Sequence, residues 1–600
     1  MLFDIGSFMG EVPRVSKKLL PNQYARSAVN CDLRGGNLAP EKGCSLVQSL
    51  SGDTVTVFKQ GSAWRQWPSV VDVVRSFVND NNNRIIITGD SYPKETDSSL
   101  YPSTRRLGIP EPTVALIITL GGTAVTEGTT VSDFEEFDPT ASYNIGDQRA
   151  NHGAVYSCLV VIVDGQVETT EGEWEDSNSP STSTNWEINE DIPEEIVPDI
   201  ERTISYVYTI VGVWADGSVT ESAPSLPTAV IDVYEGQTVT LTGFATSAAT
   251  GVYATRFRIY RLTSGTYGAE YQYVDEIALT NTSYTDSVSD EELGEILATE
   301  GWTAPDENLT GIISTSSGIN VGFVKNKIYP SETFVGYAYP STYSLTTESD
   351  IVGLGFIGSS VVVLTKTKPY ILIGQNPESL SIEKIPYDQA CVSKRSIVSF
   401  PGGVAYACPD GLAVMDASGL LVILTEKLFT KKQWAALGPQ NIIGFWHDNA
   451  YYAFFNGEST YIRIDLAASE VSRGGLPGGV YGGYYVASDD ILYLIIGTAS
   501  TKNLYSFRTG ELTSMTWISG TRTLENRVPI AGRVLGDFTE GSSVLTMTAD
   551  GEELFSKTIT SNDMFRFTPQ RIEEAFLTVT GTGTIDRILI GETGQEVLDV

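Results

Sequence analysis

Six hundred residues exceed what one hydrophobic core organises, so roughly three to five domains are expected. A net charge of −35, with 74 acidic against 39 basic residues and no basic cluster, excludes a nucleic-acid-coating role, because such binding depends on Lys and Arg displacing counterions from phosphates. With 41% hydrophobic residues, only 19% charged and 57 glycines, the composition points to many short strands joined by turns. The predicted fold class is all-β and multi-domain, a β-propeller with inserted β-sandwich modules.

The opening residues, 1–45, include VPRVSKKLLPNQYARSAVNCDLRGGNLAPEKG (12–43) and read as an N-terminal assembly arm, extended and then turn-rich. Strands follow in TVTVF (54–58) and RIIITG (84–89), on either side of NDNNN (79–83), whose Asn and Asp tolerate left-handed backbone angles. Residues 46–112 are expected to supply a first propeller blade or the strands that close the ring, since closure removes exposed edges.

Residues 113–199 are predicted to be an inserted acidic module. Segment 131–200 holds 17 Asp and Glu against one Arg, close to half of the whole excess of negative charge. Tyr143, Gly146, Asp147, Gly153 and Tyr156, with Pro180 and Trp186 later, follow a Y..GD.....G..Y and P.....W pattern. This pattern resembles small chitin-binding-type carbohydrate modules, although Phe137 stands where that family opens with tryptophan and Val160 and Val161 replace its adjacent exposed aromatics. The resemblance implies glycan or host-surface contact through Tyr143, Tyr156, Trp174 and Trp186, because aromatic faces stack on the C–H faces of a pyranose and exclude water. The other role open to Tyr143, Tyr156 and Trp186 is the core of a decorative domain. Trp174, in the EGEWEDS loop, is the aromatic expected to be most exposed.

Residues 200–300 contain ISYVYTIVGVWADGSVTESAPS, GQTVTLTG, TRFRIYRLTSG and YVDEIALTNTSYTD, alternating strands that resemble a fibronectin type III sandwich, whose usual role is spacing. Helical turns are expected only at Asp290 to Glu300 and Thr430 to Leu437.

Residues 301–514 carry a repeat. INVGF (319–323), VGLGF (352–356), SIVSF (396–400), NIIGF (441–445) and VYGGYY (480–485) recur every 30 to 45 residues or so, most of them followed by a turn and a second apolar strand. Several strands per unit at a period near 40 is the pattern of propeller blades, and four or five blades can be counted. Pro409, Asp410 and Gly411, Asp416 to Gly419, Asp448 with Asn449, and Asp489 with Asp490 supply the hairpin turns. Residues 515–600, with TWISGTRTL, SSVLTMTADGEELFSKTITS and TGTGTIDRILIG, read as a small C-terminal β-sandwich.

Catalytic constellations find little to draw on. The chain has two histidines, His152 and His447, and no GxSxG, P-loop or HExxH spacing, so no enzyme activity, catalytic residue, metal or cofactor is predicted. Five cysteines, Cys31, Cys44, Cys158, Cys391 and Cys408, form an odd set without CxxC spacing and are expected as reduced, buried thiols. The start lacks a basic segment leading into an apolar one, and no run of about 18 apolar residues occurs, so cytoplasmic assembly is expected.

Three stretches carry a wider resemblance: LLPNQYARSAVNCDLRGGNLAPEKG (19–43), CVSKRSIVSFPGGVAYACPDGLAVM (391–415), and MFRFTP (564–569) with GTGTIDRILIGE (581–592). Together they resemble the nozzle proteins of short bacteriophage tails, also called tail tubular protein B. The resemblance implies a structural virion protein of the viral tail, a homo-oligomer forming a hexameric ring below the portal and adaptor. Its propellers would wall the DNA exit channel used in DNA ejection, and its inserted modules would face tail fibres or spikes. Six copies would carry about −210 charges, a wall to which passing viral DNA does not stick. The alternative reading is a receptor-binding or glycan-binding tail spike or fibre, and a third is a secreted adhesin.

Overall fold

A computed structural model of the chain describes residues 2–77, 83–124, 133–151, 154–159, 162–163, 166–168, 174–176, 186–189, 200–265, 268–465 and 470–599. The fold is all-β and multi-domain, and its centre is a propeller. In chain order the blades are the two-stranded hairpin Thr56–Gln60 and Ala63–Trp67 (blade 1), then four-stranded sheets over 72–106 (blade 2), 310–346 (blade 3), 351–384 (blade 4), 398–423 (blade 5) and 442–475 (blade 6). Blade 7 has three strands over 479–506 and takes its outer strand from Ser45–Ser49, before all the others in sequence. That borrowed strand ties the two ends of the wheel together and covers an edge that would otherwise be open.

Apolar side chains fill every gap between neighbouring blades, which is what closes the wheel. Val321 and Phe323 meet Leu354 and Val361 between blades 3 and 4, and Val362 and Leu364 meet Val404 and Tyr406 between blades 4 and 5. Ala405 and Leu412 meet Tyr451 and Ile462 between blades 5 and 6, and Tyr452 and Phe454 meet Val480 and Leu494 between blades 6 and 7. Val57 with Ile495 and Leu504, Phe58 with Ile85, and Ile86 with Leu309 complete the circle through blades 1 and 2. Adjacent residues of one strand, such as Tyr451 and Tyr452, thus serve opposite neighbours. A strand buried on both faces loses its alternation, which is why VVVLT and AYYAFF read as unbroken apolar runs.

The repeated glycine has a steric cause. A Cβ on Gly355 would come within 2.7 Å of Val404 Cγ1 in the next blade, and one on Gly444 within 2.9 Å of Val398 Cγ2. Both lie on innermost strands, where blades converge. We expect Gly355→Val to cost about 1–3 kcal/mol through overpacking, read as a lowered thermal midpoint; an unchanged midpoint would argue against close packing at the hub. The repeat does not fall on the same strand in every blade. INVGF is the second strand of blade 3, Asn320–Val324, and the first is Thr310–Ser314.

Between blades 2 and 3 the chain leaves the wheel to build a sandwich. The sheet of Val219–Glu221, Tyr206–Val213, Arg256–Gly265 and Gly268–Ala278 packs on the three strands Ile117–Gly121, Thr238–Thr242 and Ser283–Asp286, with Tyr206, Tyr208, Val239 and Phe257 in its core. Ile117–Gly121 is a member of this sandwich, pairing with Thr238–Thr242, so the acidic module is inserted within it and does not precede it. A pairing across more than a hundred residues leaves no local mark in the sequence. The expected helix after Asp290 is confined to a single turn, Asp290–Glu292, because Gly294 and Leu297 donate backbone hydrogen bonds to Tyr273 and Tyr271 along a neighbouring strand. Lys431–Ala436 is helical, with Thr430 as its N-cap.

Arginines fasten the sandwich to blade 2. The Arg105 guanidinium lies 3.3 Å from the Tyr253 ring centre and 4.2 Å from that of Trp214, while Arg84 lies 3.9 Å from Trp214 and pairs with Asp216 at 3.3 Å. Near them Glu95 is buried, and burial outweighs the attraction of Arg84 and Arg105, pushing its carboxyl up to about 7. A folded value above the unfolded 4.5 means the native state holds this proton more tightly, so its stabilisation is complete at low pH and is lost as pH rises through 7. Calorimetry from about pH 5 to about pH 8 should show a loss on the order of 2–3 kcal/mol, which Glu95→Gln removes. An equal slope in the variant would contradict the assignment.

The N-terminal segment is not a free arm. Phe3–Ile5 pairs with Thr584–Gly591, and Tyr24–Val29 pairs with Met515–Ser519, so both become strands of the C-terminal sandwich. Met9–Glu11 bridges this sandwich to blade 6 through Val471, making one continuous sheet. Phe3, Ile5 and Phe8 lie at 1–2% exposure beside Trp517, Leu545 and Leu577. Even the loop around Leu19, whose side chain is 76% exposed, is tied to this sandwich, since the Thr521 N–H donates to the Lys17 carbonyl, Lys18 pairs with Glu574 and Arg522 donates to Asn22.

Candidate functional site at the propeller hub

The sequence-predicted aromatics are drawn together, but mostly inward. Tyr143 and Trp186 are buried with Cys158 and Ile162, and Phe137 stacks on Tyr143 at 5.6 Å between ring centres. The Tyr143 hydroxyl donates to the Asp138 carbonyl and accepts from the Asp138 N–H, both at 2.8 Å. A ring that packs both faces against protein offers none to a sugar, so Tyr143 and Trp186 are core residues and not a stacking platform. Tyr156 is half-buried on Ala154–Cys158, between Arg149 and the exposed Ile188 of its neighbouring strands. Trp174 starts the strand Trp174–Asp176 opposite Glu168, and its side chain lies outside the described residues, as do His152, Gly153 and Pro180.

Charged side chains converge instead on the propeller axis, at residues that no chemical motif marks. Lys394 and Arg395 occupy one 3-10 turn leading into blade 5 and reach across the wheel to the two blades that flank blade 1. Lys394 Nζ is 2.6 Å from Asp72 Oδ2 in blade 2, and the same oxygen accepts the Gly311 N–H of blade 3 at 3.0 Å. Arg395 donates to the Tyr481 carbonyl in blade 7 and, at 3.3 Å, to Asn456 Oδ1 beyond the second strand of blade 6. Two consecutive residues therefore bolt five of the seven blades together across the hub. They face a cavity of about 180 Å³, otherwise lined by Val55, Thr56, Val70, Ile443, Phe445 and hub glycines. Burial pushes the Arg395 guanidinium down to about 10, a value at which it still carries its charge near neutrality.

A second polar cluster seals the seam between the wheel and the C-terminal sandwich. Arg508 lies 3.1 Å from Asp32 and 3.2 Å from Asp448 and donates to the Tyr452 hydroxyl at 2.8 Å. Glu41, which accepts from the Tyr461 hydroxyl, is held above the usual carboxylate range by burial. The network is closed on itself, and its role is to lock residues 32–41 onto blade 6. Cys31, Cys158, Cys391 and Cys408 are buried, while Cys44, expected to be buried too, is only half-buried; desolvation still pushes Cys391 up to about 12 and Cys44 and Cys408 up to about 11, so these three do not carry the thiolate that reactivity needs.

No family model and no curated protein matches the chain. Similar solved structures include regucalcin from Agrobacterium tumefaciens, a calcium-binding protein, at 9% identity and TM-score 0.24, covering 42% of this chain and 88% of that one. The WD40 domain of Neurospora crassa Pan2 is also 9% identical, with TM-score 0.25 and coverage of 46% and 84%. The WD40 domain of Toxoplasma gondii coronin is 9% identical, with TM-score 0.24 and coverage of 52% and 87%.

Proposed function

We propose that this chain is a non-enzymatic structural protein of a bacteriophage virion, the nozzle or hub subunit of a short tail, several copies of which form the wall of the DNA exit channel. The observation that carries this reading is mechanical. A wheel with seven apolar seams, bolted across its own axis by Lys394, Asp72 and Arg395, is a solid block suited to building a wall. DNA then passes between subunits and not through any one propeller. The acidic surface supports this reading, since a wall of like charge releases the polymer that slides past it. So do the three stretches that resemble tail nozzle proteins. On this reading the partners are five further copies, the portal-adaptor ring, and fibres or spikes met by the outlying modules, with assembly in the host cytoplasm. Native mass spectrometry of the purified chain or tail should give a ring of about 390 kDa, six times 65.0 kDa. A trimer as the largest stable species, or a chain missing from virions, would overturn it.

A further inference from the structure

We infer that the propeller hub is a binding site for a small oxyanion, a phosphate or a carboxylate, held by Arg395 with Lys394 beside it. The inference concerns a ligand and stands whether or not the chain builds a tail.

Counter-charge is the first observation. Arg84, Arg106, Arg261 and Arg463 are all buried, and each has a carboxylate oxygen within 3.3 Å, on Asp216, Glu307, Asp286 and Asp465. Arg395, half-buried, touches two acceptors, the Tyr481 carbonyl and the Asn456 amide oxygen, and both are neutral. Among the described residues no carboxylate pairs with it, in a chain that carries 74 of them. A guanidinium has five donors in a planar fork that suits an oxyanion, and its two neutral acceptors leave donors and a full positive charge to offer one.

Space and surroundings are the second. The cavity of about 180 Å³ lies against Arg395 and holds roughly six waters' worth of volume, enough for an oxyanion and some hydration. Its single carboxylate, Asp72, is already engaged by Lys394 and by the Gly311 N–H, so one cation is left in excess. Lys502, bonded to the Thr54 carbonyl at 2.8 Å, adds further positive charge near Arg395. Apart from Thr56, the remaining lining is apolar side chain and glycine, so no further charged group competes with Arg395 and Lys394 there.

The test is calorimetric titration of the full chain with inorganic phosphate at constant ionic strength, with acetate as a second titrant and chloride as the control. Phosphate binding that Arg395→Gln weakens by about tenfold or more supports the site, and the same loss with acetate in place of phosphate identifies a carboxylate as its ligand. Because Arg395 also holds blades together, Asp72→Asn provides the independent arm. It frees Lys394 for the ligand and should tighten binding several-fold, opposite to any effect of loosening the wheel. Heat no larger than that of chloride for both anions, or affinity unchanged in both variants, would overturn the proposal.

Discussion

Deleting residues 2–11 is expected to unfold the C-terminal sandwich. Phe3, Ile5 and Phe8 are each at 1–2% exposure in its core, and fully burying such side chains contributes roughly 1.5–3 kcal/mol apiece. Their joint loss, about 5–9 kcal/mol, is comparable with the entire stability of a typical domain. Trp517 is the natural reporter, because it is fully buried, packs edge-on to Phe8 at 5.2 Å, and donates its indole N–H to the Met9 carbonyl at 3.2 Å. Its fluorescence should shift to the red in the truncated chain, and strands 515–591 should lose protection from amide exchange. A truncated monomer with native Trp517 emission would mean that the segment is an arm after all, ordered by a neighbour.

The second large effect is expected at Arg261. This side chain is fully buried in the inserted sandwich, 2.5 Å from Asp286 and 2.6 Å from Asp290, and Asp286 also accepts from the Tyr206 hydroxyl. Arg261→Met leaves the Asp286 carboxylate buried without its counter-ion, which costs about 3–5 kcal/mol. Adding Asp286→Leu should recover much of that loss, since removing both charges leaves neither stranded. Thermal unfolding of the two variants beside the parent decides the matter. A double variant as unstable as the single one would show that shape, and not charge, governs this site.

These two sites also show what is readable in the sequence. The blades announce themselves because each needs turn residues at fixed places: Asp448 and Asn449 take φ of 48° and 55°, and Asp416 Oδ1 caps its own turn by accepting from the N–H groups of Ser418 and Leu420. Glycine in VGLGF and NIIGF marks the same constraint at the hub. What stays hidden is pairing between distant strands. FDI at the start alternates like any short strand, and nothing near it names Ile588 to Ile590 as its partners. The repeat in 301–514 corresponds to five blades, and the stretch expected to give a first blade or ring-closing strands gives both, a hairpin blade and a four-stranded one, together with the closing strand Ser45–Ser49, whose distant partner Lys502–Ser506 nothing local names. Lys394 and Arg395 sit inside a stretch already singled out, yet a side chain faces the axis only because the ring closes. The aromatic pattern of the acidic module has the reverse fault: its spacing is shared by a binding face and a small core, and burial of Tyr143 and Trp186 decides for the core.

The central claim is that the wheel is a wall element with a filled axis. Electron cryomicroscopy of the virions proposed to carry this chain tests it most directly. The expected map shows six copies around the tail axis, DNA density on that common axis, and each propeller hub bridged from Asp72 through Lys394 and Arg395 to Tyr481. DNA threading a single propeller, or this fold standing as a three-fold spike on the periphery, would contradict it.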